Sequence, residues 1–295
     1  MKNNVCGVIV TYNIGLKFYE CFNAVINQVE KIVIVDNGSN EETLNVLKDI
    51  KRKYNVVIIY NDINMGIANA LNLGVKYALD NKYEWLLTMD NDSKATENMV
   101  QVMLDCYETC FKSDKNIVGM FPEYIEKSTV QDKELCISTL GNYSYNETFF
   151  DNASGNLVKL DIFKNIGYFK EELFIDSVDH DFCMRVKEAG GKMIKVKNAK
   201  LLHNLGNMKV YNIFGIKINC SNHSALRRYY VTRNRCYMRR KYKNDKEYMK
   251  YDRKTFINEN LKIILFEKDK INKIRMSIKG YKDFKKNKFG EFNLG

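Results

Sequence analysis

The feature that most constrains this chain is the strict alternation in its first 90 residues between short, almost wholly apolar runs and segments of helical period. Val5–Val10, Lys31–Val35, Val56–Tyr60 and Glu84–Met89 read as strands. Leu16–Gln28, Glu41–Lys53 and Ile67–Leu79 read as the helices between them, the second with Asn40 as its N-cap. Strands that are apolar at nearly every position have both faces covered, and the helices are the crossovers that cover them. The expectation is an α/β fold with a mostly parallel central sheet and helices on both faces. In such sheets ligands bind beyond the carboxyl ends of the strands.

That rule directs attention to four loops: Thr11-Tyr12-Asn13, Asp36-Asn37-Gly38-Ser39, Asn61-Asp62 with Asn64-Met65-Gly66, and Asp90-Asn91-Asp92-Ser93. Each alone is ordinary turn chemistry. Together, on one sheet edge, they describe a polar-ligand site. The chain has neither a Gly-x-Gly-x-x-Gly after the first strand nor a Gly-x-x-x-x-Gly-Lys-Ser/Thr, so a dinucleotide oxidoreductase and a P-loop enzyme are both set aside. A bound diphosphate then needs another counter-charge, and a metal is the natural one. Asp90 and Asp92, two apart in a turn, can face one hard cation and leave positions open for phosphate oxygens, which suits Mg2+ or Mn2+.

Further along, a helix over Glu97–Phe111, a strand over Ile117–Phe121, a strand and helix over Leu157–Ile166 and a strand over Lys192–Val196 extend the fold. The acidic stretch Asp176-Ser177-Val178-Asp179-His180-Asp181 leads into a helix expected from Phe182 to Ala189. Asp181 stands one helical turn from Arg185, which makes it the better candidate for a structural ion pair and leaves Asp179 free as a base. Eight cysteines occur without any Cys-x-x-Cys pair and read as reduced, small apolar residues.

These pieces, in this order, resemble the family 2 glycosyltransferases of the GT-A fold, and most closely their bacterial rhamnosyltransferase-type branch. The matching segments are Val10–Asn13, Val35–Ser39, Asn64–Asn72, Met89–Ser93, Ile166–Phe169, Phe174–Asp181, Leu202–Gly206 and Arg228–Tyr230 before Arg233-Asn234. The resemblance implies that Thr11, Asn13 and Asp36 hold the nucleobase and ribose, and that Asn64, Gly66 and Asn69 form a second nucleotide-side segment. It implies a metal and diphosphate site at Asp90, Asp92 and His203, with Arg228 and Arg233 near the diphosphate, and Asp179 as the catalytic base of an inverting transfer. Two departures stand out: Asp-Asn-Asp-Ser replaces the branch's Asp-Gln-Asp-Ser, and Val178-Asp179 replaces the wider family's Glu-Asp pair.

The charge is uneven. Residues 233–295 carry 20 Lys/Arg against 8 Asp/Glu, whereas the preceding 232 residues are close to neutral. The organisation expected is a nucleotide-sugar-binding and catalytic domain over 1–220 and a basic, mainly helical extension over 221–295. The extension fits a solvated helical face or an anionic membrane surface, and no nucleic-acid motif accompanies its charge. No apolar run approaches the length of a membrane-spanning helix. The expected setting is therefore cytoplasmic, with peripheral contact at the inner face of the membrane. The functional expectation is metal-dependent transfer of a sugar, rhamnose from dTDP-rhamnose by analogy with the branch, to a saccharide or lipid-linked acceptor in cell-surface polysaccharide synthesis. The alternatives are a non-catalytic nucleotide- or sugar-binding module, which intact Asp90, Asp92 and Asp179 disfavour, and a sugar-phosphate nucleotidyltransferase, which lacks its Gly-rich, Arg-containing first loop here.

Overall fold

The computed structural model describes residues 4–126, 138–141, 143–151, 154–203, 209–213 and 216–292. Asn152 and Ala153, Cys136, and the Asn204-Leu205-Gly206 end of one matching segment lie outside the described residues. By contacts the chain divides into one unit of Met1–Glu171 with Val178–Asn204, and a second of Glu172–Ser177 with Leu205–Gly295.

The first unit opens with the expected alternation: β1 (Val5–Thr11), α1 (Phe18–Val25), β2 (Lys31–Asn37), α2 (Glu41–Lys53), β3 (Val57–Asn61), α3 (Ile67–Asp80) and β4 (Trp85–Asp90). Helix α2 shows why these segments form. Asn40 accepts the Thr43 N–H at 3.1 Å, two glutamates open the first turn, and Lys51, Arg52 and Lys53 close the last. Its buried residues, Thr43, Val46, Leu47 and Ile50, fall on one stripe. Each such aliphatic side chain, once buried, stabilises the fold by about 1.5–3 kcal/mol.

Strands β3, β2, β1 and β4 pair in parallel in that spatial order. Successive residues of β1 serve opposite faces. Val5 and Ile9 join the core with α1 and α2, while Val8 packs so tightly under α3 that a Cβ on Gly74 would lie 2.3 Å from it. The chain continues through β5 (Lys94–Ala95), α4 (Met99–Cys110), β6 (Ile117–Glu126), β7 (Tyr145–Thr148), β8 (Asn156–Lys159), α5 (Ile162–Ile166), α6 (Val178–Glu188) and β9 (Lys192–His203). Beyond β4 the sheet becomes mixed: β8 pairs antiparallel with β4 and β6, and β9 runs parallel to β6 but antiparallel to β5 and β7.

Two local expectations are revised. Helix α6 starts at Val178 rather than at Phe182, so Asp179 and Asp181 occupy its first turn, where the helix dipole favours carboxylates. Strand β9 runs unbroken from Lys192 to His203, beyond the Lys192–Val196 that the sequence suggested. Its continuity is held by a second stretch of pairing with β6 after a register shift between Pro122 and Glu123.

The second unit contains the hairpin β10 (Lys209–Ile213) and β11 (Ile216–Cys220), followed by α7 (Ala225–Lys241), α8 (Lys246–Leu265) and α9 (Lys270–Lys285). Helices α7 and α9 meet closely enough that a Cβ on Gly280 would lie 2.4 Å from the Tyr229 carbonyl oxygen.

Candidate active site

The parallel register sets Thr11 beside Asp36 at the ends of β1 and β2. The Thr11 hydroxyl donates to Asp36 Oδ1 at 3.0 Å, and the Ser39 N–H donates to Oδ2 at 3.0 Å. Both residues are buried, so this carboxylate is satisfied within the strand ends and fixes the loop after β2. Asn13, in the left-handed region at φ 51°, ties the first loop to the second: its N–H donates to Ser39 Oγ, and its Oδ1 accepts the Asn40 N–H at 2.7 Å. The buried Asn37 amide joins the second loop to the third. It donates to Asn64 Oδ1 and the Gly66 carbonyl, and accepts from Asn61 Nδ2 and the Met65 N–H. Gly38, at φ 77°, lets the two loops touch, since a Cβ there would stand 2.7 Å from the Ile63 carbonyl carbon. Asn69 donates to Glu171 Oε2 at 3.1 Å, and Asn72 donates to Glu171 Oε1 at 2.8 Å.

At the end of β4 the chain gathers a second cluster. Strand β5 is only two residues long, yet its antiparallel pairing of Lys94 with Leu202 and Ala95 with Leu201 brings His203 next to Ser93. Asp90, Asp92 and His203 consequently offer two carboxylate oxygens and an imidazole nitrogen, all within 4.8 Å of one another and all half-buried. The His203 ring meets Ser93 Oγ through Nδ1 at 2.8 Å, which leaves Nε2 as the ring nitrogen able to take a metal. Ser93 Oγ accepts from Ser154 Oγ at 2.8 Å, and Ser154 Oγ accepts the Asp90 N–H at 3.1 Å. The Asp90 carbonyl accepts from Cys21 Sγ at 3.2 Å. Two hard oxygens with one imidazole suit Mn2+ well and Mg2+ by its carboxylates, and three protein donors leave further positions for phosphate and water. The residues present therefore fit the ion that the sequence suggested. Ser93 and Ser154, both fully buried, form its outer support. Sequence reasoning passed over Ser154, because a lone serine ahead of a strand carries no visible signal.

Asp179 stands in the first turn of α6 and accepts the His180 N–H on Oδ1 at 2.9 Å. Its neighbourhood is acidic. The phenol of Tyr124 is pushed well above its ordinary pKa, first by burial and then by the charges of Asp151, Asp90 and Asp179. Burial, and after it the charge of Asp179, likewise raises the Cys183 thiol. Asp151 is ion-paired to Lys195 at 2.6 Å, and Tyr124 donates to the Ser154 carbonyl at 2.9 Å. The companion aspartate is committed elsewhere. Asp181 is fully buried and receives Arg185 Nε at 2.8 Å, while the rest of that guanidinium donates to the carbonyls of Ile166, Gly167 and Tyr168. Asp181 therefore joins α6 to the end of α5.

Arg228 and Arg233 belong to the second unit and are buried there. Arg228 pairs with Glu267 at 3.1 Å and with Glu259 at 3.7 Å. Arg233 donates to the carbonyls of Gly290, Glu172 and Leu173 and to Asn234 Oδ1. His223, in the same unit, has its pKa lowered to about 4 by burial and by the adjacent Arg227.

Residues 6–173 match the model of the family described as Glycosyl transferase family 2. The chain is 30% identical over 255 residues to a dTDP-rhamnosyl transferase, RfbF, of Shigella flexneri, covering 82% of this chain and 81% of that protein. It is 26% identical over 211 residues to the O-antigen chain rhamnosyltransferase RfbN of Salmonella typhimurium, covering 66% and 65% respectively. Among solved structures, the mannosyltransferase PcManGT from Pyrobaculum calidifontis, in complex with GDP-Man and Mn2+, aligns with a TM-score of 0.55 at 12% identity, over 79% of this chain and 62% of that one. GalNAc-T7 with UDP, GalNAc and Mn2+ aligns with the same TM-score at 17% identity, over 78% of this chain but only 47% of its own. At such identities the structural likeness speaks for the fold, which is the GT-A arrangement expected above.

Proposed function

The chain belongs to glycosyl transferase family 2, and from that premise we propose that it transfers rhamnose from dTDP-rhamnose, with inversion, to a saccharide or lipid-linked acceptor in cell-surface polysaccharide synthesis. The observation that carries the reading is the convergence of Asp90, Asp92 and His203 at the end of β4, with Asp179 among the same carboxylates around Tyr124. The rhamnose donor is supported by two rhamnosyltransferases among the relatives.

In this reading the loops after β1, β2 and β3 form the nucleoside side. Asp36 and Thr11 set the loop shape from below, and Asn13, Asn64, Gly66 and Asn69 present it. Asp90, Asp92 and His203 would hold Mg2+ or Mn2+, which neutralises charge developing on the departing diphosphate. The Asp179 carboxylate takes the proton of the acceptor hydroxyl as that oxygen bonds to the anomeric carbon. The anomeric carbon–oxygen bond to the diphosphate breaks at the same time, and dTDP leaves with the bonding pair. Arg228 and Arg233, which the resemblance sets near the diphosphate, are bonded within the second unit.

The test is incubation of the purified protein with dTDP-rhamnose and with UDP- and GDP-linked sugars, in Mn2+ and in chelator, scoring release of the nucleoside diphosphate. Release of dTDP from dTDP-rhamnose alone, abolished by chelator, is expected. Equal turnover of a UDP- or GDP-sugar would remove rhamnose from the reading, and chelator-insensitive release would remove the metal.

A further inference from the structure

The outward face of α8 changes character along its length. Read at helical spacing, it runs Lys246, Lys250, Arg253 and Lys254, then Ile257, Leu261, Ile264 and Leu265, all exposed. The opposite face is the packed one, with Tyr248, Asp252 and Ile263 buried. Helix α9 repeats the pattern in reverse. Its exposed face begins with Ile271, Ile274 and Ile278, with Arg275 among them, and ends with Tyr281, Lys282 and Lys285. The apolar ends of the two helices therefore flank the short link from Phe266 to Asp269, at which Lys268, Asp269 and Lys270 are exposed, and the other basic groups of the α8 face lie farther from it.

These isoleucines and leucines are not marginally exposed: Ile257 is 57% accessible, Leu265 60% and Ile271 83%. Single exposed aliphatic residues are unremarkable, but a cluster of this size at one end of a helix pair marks an interaction surface. Phe256 and Ile263 of α8 and Ile278 and Tyr281 of α9 line a separate cavity of about 390 Å3 on the inner side of α8, together with Arg228, Arg235 and Arg239 of α7.

We propose that this end of the second unit docks on a membrane, with the apolar residues around the α8–α9 link inserted among lipid chains and the basic residues behind them against anionic headgroups. Segregation along the helix axis is what selects this occupant. A bilayer presents an apolar interior and, one layer out, a charged plane, and the outward face of α8 shows those two zones in that order, with the charges of the link and of Arg275 left to reach headgroups. Ile257 to Leu265 spans about 12 Å at 1.5 Å per residue, which reaches the boundary of headgroups and acyl chains and is far short of a hydrocarbon core of about 30 Å. None of the helices among the described residues is long and apolar enough to cross a membrane. The surplus of Lys/Arg over Asp/Glu in residues 233–295, 20 against 8, supplies the attraction to an anionic leaflet.

The experiment is co-sedimentation of the full chain with phosphatidylcholine vesicles and with vesicles containing about one-third phosphatidylglycerol, at low and high salt. The wild type should sediment with the anionic vesicles and be largely released by high salt. The joint variant Ile257→Ser, Leu261→Ser, Ile264→Ser alters only exposed positions. It should weaken partitioning on the order of a hundredfold while keeping the wild-type circular dichroism and nucleotide affinity. Lys246→Glu with Lys250→Glu should weaken binding to anionic vesicles by more than tenfold and reduce its dependence on salt. Failure of the full chain to sediment with anionic vesicles, or undiminished sedimentation of the serine variant, overturns the proposal. So does a wild-type dimer that becomes monomeric in the serine variant without vesicles, because the face would then be an interface between copies.

Discussion

The buried chain from the Asp90 N–H through Ser154 and Ser93 to His203 makes Ser154→Ala the most informative single change in the first unit. The substitution removes two hydrogen bonds at once. It strips the Asp90 N–H of its acceptor and Ser93 Oγ of its donor, and both serines are fully buried, so water does not readily replace the lost partner. Losing a buried hydrogen bond costs about 1 kcal/mol, and an orphaned buried group adds about 1–3 kcal/mol. A net loss of about 2 kcal/mol is expected, which lowers Tm by roughly 4–8 °C for a unit of this size. The second effect is on the metal. Asp90 and His203 are both positioned by this chain, and loss of outer support of this kind typically weakens metal affinity about 10–100-fold. Mn2+ affinity measured by paramagnetic resonance, with and without nucleoside diphosphate, reads this directly. Tyr124→Phe is the control. It removes the donor to the Ser154 carbonyl but leaves the hydroxyl chain intact, and it should change Mn2+ affinity by less than about threefold. If Ser154→Ala binds Mn2+ as tightly as the wild type, the serines do not position the site and the reasoning fails.

Asp92→Asn should sharply weaken nucleoside diphosphate binding in Mn2+, and titration calorimetry should show wild type with chelator falling to the level of the variant. Asp179→Asn should leave donor affinity near wild type and reduce transfer by about 10²–10⁴; transfer at the wild-type rate would place the base elsewhere. Asp181→Asn should cost about 3–5 kcal/mol, since it leaves a largely buried Arg185 without its counter-ion, and chemical denaturation measures it. The His223 pKa, lowered to about 4 from 6.5 by burial and Arg227, means that the unfolded chain takes up a proton before the folded one does. Its contribution to stability is intact above pH 6.5 and is lost as pH falls from 6.5 towards 4. Thermal melts of His223→Asn should lose that part of the pH dependence.

What the sequence disclosed and what it concealed follow from the range of the interactions involved. The helices of the first 90 residues were legible because each is long enough to show its period, the strands because they are short continuous apolar runs between them, and the parallel-sheet rule then located the loops. The pairing of Asp181 with Arg185 was legible because it is one turn apart in a helix. The approach of His203 to Asp90 and Asp92 was indicated by resemblance alone. It depends on the two residues of β5, too few to display any period, and on pairing across more than a hundred residues. Helix α7 hid its packing for a different reason. Its buried residues include Arg228, Tyr229, Tyr230, Arg233 and Asn234, so the inward face is polar and aromatic and leaves no aliphatic stripe to read.

Those buried polar groups have a specific task within the second unit. Phe174, Asp176 and Ser177 all lie in the left-handed region, at φ 64°, 65° and 62°. Non-glycine residues held there cost about 1–3 kcal/mol each, so the segment persists only if its surroundings fix it. They do. Asn234 Nδ2 reaches the carbonyls of Leu173, Ile175 and Asp176 at 2.9, 2.7 and 2.9 Å. Arg233 holds the Glu172 and Leu173 carbonyls, Arg227 pairs with Asp176 at 3.0 Å, and Phe174 stacks on Tyr230 at 5.2 Å. The chain leaves this segment directly into α6, with Asp179 two residues beyond Ser177. The polar face of α7, whose sequence resembles a donor-side motif, is thus spent on holding residues 172–177 of its own unit in a conformation they would not keep alone.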